Sequence, residues 1–105
     1  MKWEVVWSRF AEIQLTSIFK YHSEKASAEV ATKIARNLIL RVDKLTENPY
    51  IGQMEGLLSG RKESYPYLVH TNYKIIYSVD EENKLIKVAD VFDTRQNPVK
   101  LRRNK

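Results

Sequence analysis

The chain has 105 residues, of which 43 % are hydrophobic and 30 % charged. That is the size of one domain with one core, and the composition excludes general disorder. It has no cysteine, which excludes a disulfide scaffold, a thiolate zinc site and a cysteine nucleophile. The absence of cysteine also fits the reducing cytoplasm, the expected location. His22 and His70 are too few for a histidine-rich metal site, and neither a metal nor a cofactor is expected. No apolar run approaches the ~18 residues of a membrane span. Met1-Lys2-Trp3-Glu4 places an acid where a signal peptide needs an apolar stretch.

The charge is unevenly placed. Lysine and arginine total 18, aspartate and glutamate 13. Without the segment Arg95 to Lys105, both totals are 13, so the whole net charge of +5 sits at the end of the chain. A neutral body with a basic end suits contact with nucleic acid or an acidic protein, or simply a solubilising tail. The reading divides the chain into one domain over 1–98 and a basic tail over 99–105.

Trp3 to Trp7 is aromatic and β-branched and predicts a strand. Ser8 stands at an N-cap position. Ala11, Leu15, Ile18 and Phe19 recur at helical spacing, so a helix is predicted from about Arg9 to Tyr21. His22 to Ala26 reads as a polar break, and Ser27 as a second cap. The second helix carries a stripe of Ala31, Ala35, Leu38, Val42 and Leu45, widened by Val30, Ile34 and Ile39. Asn48-Pro49 stops it. Two helices with one apolar side each predict an antiparallel hairpin laid on a sheet.

Gly52, Gly56 and Gly60 mark a connection between Pro49 and Glu63. Their spacing fits neither a Walker motif nor a dinucleotide fingerprint. Three strands follow: Tyr65 to His70, then a run alternating Tyr73, Ile75, Tyr77 and Val79, then Leu85 to Phe92. Thr71-Asn72 forms the first turn, with Asn72 suited to positive φ. Pro66 belongs at a sheet edge or a strand start. The predicted order is β-α-α-β-β-β, an α+β fold with a mostly antiparallel four-stranded sheet.

The residues with chemical potential cluster late in the chain. Arg95 leaves the end of the last strand either as a free arm for a phosphate or carboxylate or as a salt bridge to Asp93. Lys74 faces away from Tyr73 and Ile75. Tyr65 and Tyr67 share one strand face, where tyrosines either stack bases or lie half-buried with a wet hydroxyl. Arg61 and Lys62 sit in the glycine-containing connection and suit target binding, as do Arg95, Lys100, Arg102 and Arg103. Lys33, Asn37, Arg41 and Lys44 read as a solvated helix face. Neither histidine has an evident carboxylate partner in sequence.

Asn48-Pro49-Tyr50-Ile51-Gly52, the run Tyr73-Lys74-Ile75-Ile76-Tyr77-Ser78-Val79-Asp80 and the ending Val91-Phe92-Asp93-Thr94-Arg95-Gln96-Asn97-Pro98, in this order, resemble the RelE/ParE toxin superfamily of bacterial type II toxin–antitoxin modules. The resemblance spans Val5 to Pro98 and implies the same fold. RelE-like members cut messenger RNA in the ribosomal A site, whereas ParE-like members inhibit DNA gyrase. Where RNA-cleaving members carry two lysines this chain has Tyr65 and Tyr67. Their arginines match Lys74 and Arg95, and their C-terminal tyrosine falls near Leu101. Other RNA-cleaving branches carry a histidine where this chain has Asp93. Charge stabilisation survives at these positions, but the general acids and bases are mostly gone: phenols titrate near ~10 and make poor bases at neutral pH, and the Asp93 carboxylate, which can accept a proton, would repel a substrate phosphate. The resemblance therefore points to a ParE-like toxin acting by binding, with gyrase the implied target and a cognate, often acidic, antitoxin as partner. Two alternatives remain: a ribosome-dependent mRNA endonuclease with an atypical catalytic set drawn from Arg95, Lys74, Tyr67, Tyr65 and Asp93, or a non-toxic member that persists as an antitoxin-binding protein.

Overall fold

The computed structural model describes residues 2–52 and 66–95. Strand β1 (Glu4–Trp7) leads into helices α1 (Arg9–Lys25) and α2 (Ala28–Asp43), the latter extended by a 3₁₀ turn over Lys44–Thr46. Strands β2 (Tyr67–His70), β3 (Tyr73–Asp80) and β4 (Leu85–Asp93) complete one sheet in the order β1-β4-β3-β2. β1 runs parallel to β4, and the other two pairs are antiparallel. The expected α+β order and mostly antiparallel sheet are therefore present.

Both predicted caps close their helices. Ser8 Oγ accepts the Ala11 N–H at 3.0 Å, and Ser27 Oγ accepts the Val30 N–H at 3.1 Å. Each satisfies an amide that has no partner within the helix. The first helix, however, runs four residues past the predicted end at Tyr21. The polar residues His22 to Lys25 include no proline or glycine, so nothing in the backbone breaks the helix there. Polarity marked a change of environment, not an end.

The apolar stripe of α2 behaves largely as predicted. Ala31, Leu38, Val42 and, in the 3₁₀ turn, Leu45 are buried, while Ala35 is half-buried. Val30 and Ile39 do not widen the core and remain 42 % and 38 % exposed. At 100° per residue each stands roughly 80–100° around the helix from the middle of the stripe. Against these side chains the sheet packs Leu68, Tyr73, Ile75, Tyr77, Ile86, Val88 and Val91.

One irregularity in the sheet decides which way its end faces. Ile76 pairs with Asp90 but Tyr77 pairs with Val88, so Ala89 is an extra residue in β4. Such a bulge reverses the alternation beyond it. Ile86 and Val88 face the helices before it, and Val91 faces them after it. Asp93, two residues beyond Val91, therefore lies on the helical face opposite Tyr73. The Ala89 carbonyl accepts a hydrogen bond from Ser8 Oγ at 3.2 Å, so the cap of α1 also braces the bulge.

Two turns carry left-handed residues. In the β2–β3 hairpin it is Thr71 (φ 53°), not Asn72 as expected from asparagine's tolerance. Thr71 Oγ1 offsets part of that strain by donating to the His70 carbonyl at 2.6 Å. In the β3–β4 turn Lys84 (φ 57°) takes this role, behind an Asp80 carboxylate that accepts from the backbone and side-chain nitrogens of Asn83. Those bonds, side chain first, hold the Asp80 carboxyl below its ordinary range. Pro66 sits at the start of edge strand β2, and its carbonyl accepts the Tyr77 N–H at 3.2 Å.

The Asn48-Pro49-Tyr50-Ile51-Gly52 motif has a packing reason. The fully buried Tyr77 donates its hydroxyl to the Pro49 carbonyl at 3.1 Å. Its ring lies where a side chain at position 52 would project, so a Cβ there would overlap the Tyr77 hydroxyl. Tyr50 is tied to the β3–β4 turn through a hydrogen bond to Glu81 Oε2.

Candidate functional site

The sheet face away from the helices holds the first group. Tyr67 and Val69 on β2 stand opposite Ile76 and Lys74 on β3, and Lys74 stands opposite Phe92 on β4. These positions alternate with the buried Leu68, Ile75 and Val91, which places them on the outer face. The Lys74 ammonium lies 4.1 Å from the centre of the Tyr67 ring. This is a cation–π pair, with the charge held flat against the sheet. Val69 beside it is 45 % exposed, and Ile76 is half-buried. Tyr67, Val69, Ile76 and Phe92 thus form an apolar and aromatic patch with Lys74 attached to its tyrosine, while Asp90 opposite Ile76 and, further along the same face, the Asp80–Lys87 ion pair make the surroundings charged. That composition suits contact with a partner surface.

Arg95 forms the second group. β4 ends at Asp93, and the Thr94 N–H and Oγ1 both donate to the Asn72 carbonyl, at 2.8 and 3.0 Å. This staples the strand end to the β2–β3 turn. The chain then curls so that Asp93 receives three bonds from Arg95: backbone N–H to Oδ1 at 2.8 Å, Nε to Oδ1 at 3.2 Å and Nη2 to Oδ2 at 3.1 Å. Of the two roles open to Arg95, the structure has the ion pair. The pair is lopsided, with the arginine side chain 63 % exposed and the aspartate side chain 11 % exposed. The guanidinium is therefore fixed in direction while its outer edge meets solvent.

The electrostatics follow from that geometry. Burial pushes the Asp93 carboxyl up. The side-chain and backbone bonds from Arg95, the guanidinium charge and His22 outweigh it and hold the group below its ordinary value. Arg95 is in turn raised by the hydrogen bonds and charge of Asp93. Both groups are ionised at neutral pH.

Lys74 and Arg95, which the resemblance matches to the arginines of RNA-cleaving members, are held by different partners. Lys74 is on the outer face beside Tyr67, whereas the carboxylate that holds Arg95 is on the helical face. Tyr65, Arg61, Lys62, Lys100, Leu101, Arg102 and Arg103 lie outside the described residues.

His22, which has no evident partner in sequence, has one in the fold. Its Nε2 lies 2.6 Å from the Tyr73 hydroxyl. Its ring meets Tyr21 and Tyr73 edge-on, at centroid distances of 5.1 and 6.4 Å. The signal was present in the spacing. His22 continues Ala11, Leu15 and Ile18 at steps of four, three and four, along the inner stripe of a helix that does not stop at Tyr21. Burial, then the Asp93 charge, raise the Tyr73 phenol above its ordinary value. Among the described residues no group of three or more histidine or acidic side chains has the geometry to hold a metal ion. No helix among them is long and apolar enough to cross a membrane.

Comparison with known proteins adds the family. Residues 5–98 match the model of the ParE toxin of the type II toxin–antitoxin system parDE. The fold is similar to a chain of the chromosomal ParDE toxin–antitoxin system of P. aeruginosa, with a TM-score of 0.73, 18 % identity, and 89 % of this chain and 97 % of that chain covered. It is also similar to a chain of the archaeal RelE–RelB complex of Pyrococcus horikoshii OT3, at a TM-score of 0.59 and 20 % identity, covering 92 % and 100 % of the two chains. A chain of the toxin–antitoxin complex RelBE2 of Mycobacterium tuberculosis aligns at a TM-score of 0.58 and 14 % identity, over 89 % and 92 %. Among curated proteins none matches the sequence.

Proposed function

Since this chain belongs to the ParE toxin family of type II toxin–antitoxin systems, we propose that it arrests growth by binding its target, with DNA gyrase the implied one, and that a cognate antitoxin neutralises it. The observation that carries this reading is the separation of Lys74 and Arg95. Cleavage through a ribose 2′-hydroxyl needs charge stabilisation and proton transfer at one phosphate. Here one cation lies against Tyr67 on the outer face, and the other is clamped by Asp93 on the helical face. An exposed arginine fixed in direction, and a lysine held on an aromatic ring beside the exposed Val69, suit recognition of a protein surface.

In this reading Arg95 is the oriented contact, and Lys74 with Tyr67 and Val69 forms a second. Arg61, Lys62, Lys100, Arg102 and Arg103 supply charge that steers an acidic partner, as does the tail over 99–105 in general. The net charge of +5 is complementary to an acidic antitoxin segment. The toxin works in the cytoplasm, where gyrase and the antitoxin are. The similarity to chains solved in ParDE and RelBE complexes supports a proteinaceous antitoxin as the partner.

The test is to add the purified chain to translating ribosomes and map messenger RNA ends. No codon-specific cut above background is expected. Codon-specific cleavage abolished by Lys74→Ala or Tyr67→Phe would establish the RNA-cleaving alternative instead.

A further inference from the structure

Asp93 takes up only one edge of Arg95. A guanidinium is planar and carries its N–H donors in a fixed fork. Nε and Nη2 both donate to Asp93, at 3.2 Å to Oδ1 and 3.1 Å to Oδ2, a two-point contact along one side of the plane. That leaves both N–H groups of Nη1 and the second N–H of Nη2. Among the described residues no other acceptor takes a bond from this side chain. Nη1 and Nη2 together form the end of the fork, which points away from Asp93. With the arginine side chain 63 % exposed and the aspartate 11 % exposed, this end meets solvent.

The fork is also held still. The Arg95 backbone N–H donates to Asp93 Oδ1 at 2.8 Å, so one carboxylate oxygen fixes both the backbone and the side chain. Thr94 pins the segment to the Asn72 carbonyl through two donors, at 2.8 and 3.0 Å. A surface arginine ordinarily has to be ordered when it binds, and this one is ordered beforehand. The pair is neutral in sum, since Asp93 cancels the charge of Arg95. The site therefore selects by shape more than by charge. A nucleic-acid backbone is bound chiefly through summed charge, which a neutral pair does not supply. A carboxylate is flat, and its two oxygens match two parallel N–H donors of the fork.

We propose that the outer end of Arg95 is a carboxylate-binding site that takes an aspartate or glutamate side chain of the target end-on, and that Asp93 is the positioning residue that makes it one. Arg95 then bridges two carboxylates, one from each protein, in the plane of its guanidinium. Asp93 keeps that plane in place. Lysine cannot replace the arginine, because an ammonium is a point charge with no fork. This inference rests on the reading of Arg95 as a target contact.

The test is the affinity of the full chain for purified gyrase, with variants whose melts show them folded. Arg95→Ala should weaken binding roughly 30-fold or more, as loss of one partner of an interfacial charge pair does. Arg95→Lys keeps the charge and should still lie closer to Arg95→Ala than to the wild type. An affinity closer to the wild type would overturn the carboxylate fork. Asp93→Asn should weaken binding roughly three- to tenfold, the cost of ordering a side chain that was ordered before. Charge alone predicts the opposite, because the substitution removes a negative charge beside an acidic ligand. Unchanged or tighter binding would overturn the positioning role. In an Arg95→Ala background Asp93→Asn should add no further loss. An equal further loss would mean that Asp93 acts on the fold and not through Arg95, and would overturn that role too. If gyrase does not bind, or Arg95→Ala leaves its binding unchanged, the reading of Arg95 as the gyrase contact is wrong, and immobilised poly-glutamate decides the fork. There Arg95→Lys should elute at lower salt than the wild type, while the two should elute together from heparin, where summed charge dominates. Equal elution from poly-glutamate, or a larger shift on heparin, would overturn the proposal, the second by making the ligand a polyanion.

Discussion

Replacing Gly52 by alanine sets two effects of opposite sign against each other. In the unfolded chain alanine is more restricted than glycine, which by itself stabilises the fold by about 0.4–1 kcal/mol. In the folded chain the new Cβ would lie 2.6 Å from Tyr77 Cε1 and 2.7 Å from Cζ, and it would overlap the hydroxyl. The ring has 0 % exposure and cannot swing into solvent. Overpacking of this kind costs about 1–3 kcal/mol. If the ring gives way, it also strains the buried bond to the Pro49 carbonyl, worth about 0.5–1.5 kcal/mol. The clash wins, with a net loss of about 2 kcal/mol, or roughly 10 °C in Tm for a domain of this size. Denaturant melts of Gly52→Ala, Tyr77→Phe and the double variant separate the parts. Removing the hydroxyl relieves the worst overlap, so the double variant should be more stable than additivity predicts, by about 1 kcal/mol. A neutral or stabilising Gly52→Ala, or strict additivity, would refute the claim that Tyr77 explains the glycine.

Other expectations are open to equally direct checks. Leu38→Ala removes a fully buried side chain from the centre of the α2 stripe and should cost about 2–5 kcal/mol in a urea melt. The Asp93 carboxyl is held below its ordinary value when folded. Its contribution is fully present above the unfolded-state value of ~3.9 and is lost as pH falls through the lower, folded one. The acid limb of the stability profile should flatten in Asp93→Asn, and an unchanged limb would remove the pair from the account. Deleting Lys100 to Lys105 should leave the melt nearly unchanged and slow association with an acidic partner, most at low salt. A salt-independent association rate, equal in both forms, would deny the tail a steering role.

The fold was legible because its signals are local and repeated. Ser8 and Ser27 cap the helices they precede, and a stripe of five residues names the buried side of α2. The end of α1 was not legible from polarity, because a helix stops where its backbone is interrupted and His22 to Lys25 interrupt nothing. The site was harder to read for a different reason. Which face Asp93 occupies depends on one extra residue, Ala89, and a bulge leaves only a broken alternation in the sequence. The partner of His22 lies 51 positions away on β3, beyond the reach of any spacing argument. The choice between a free and a paired Arg95 also turns on tertiary placement. Two residues apart in sequence, Asp93 and Arg95 meet because Thr94 pins the chain to the Asn72 carbonyl.

The central claim is that this ParE-family toxin acts by binding gyrase through an oriented Arg95. The most direct measurement is a supercoiling assay with purified gyrase, relaxed plasmid and increasing amounts of the chain. The account predicts inhibition that saturates near stoichiometric toxin and is markedly weaker for Arg95→Ala, a variant that should still fold. Undiminished supercoiling at excess toxin, from a preparation that nonetheless blocks growth when expressed, would contradict it.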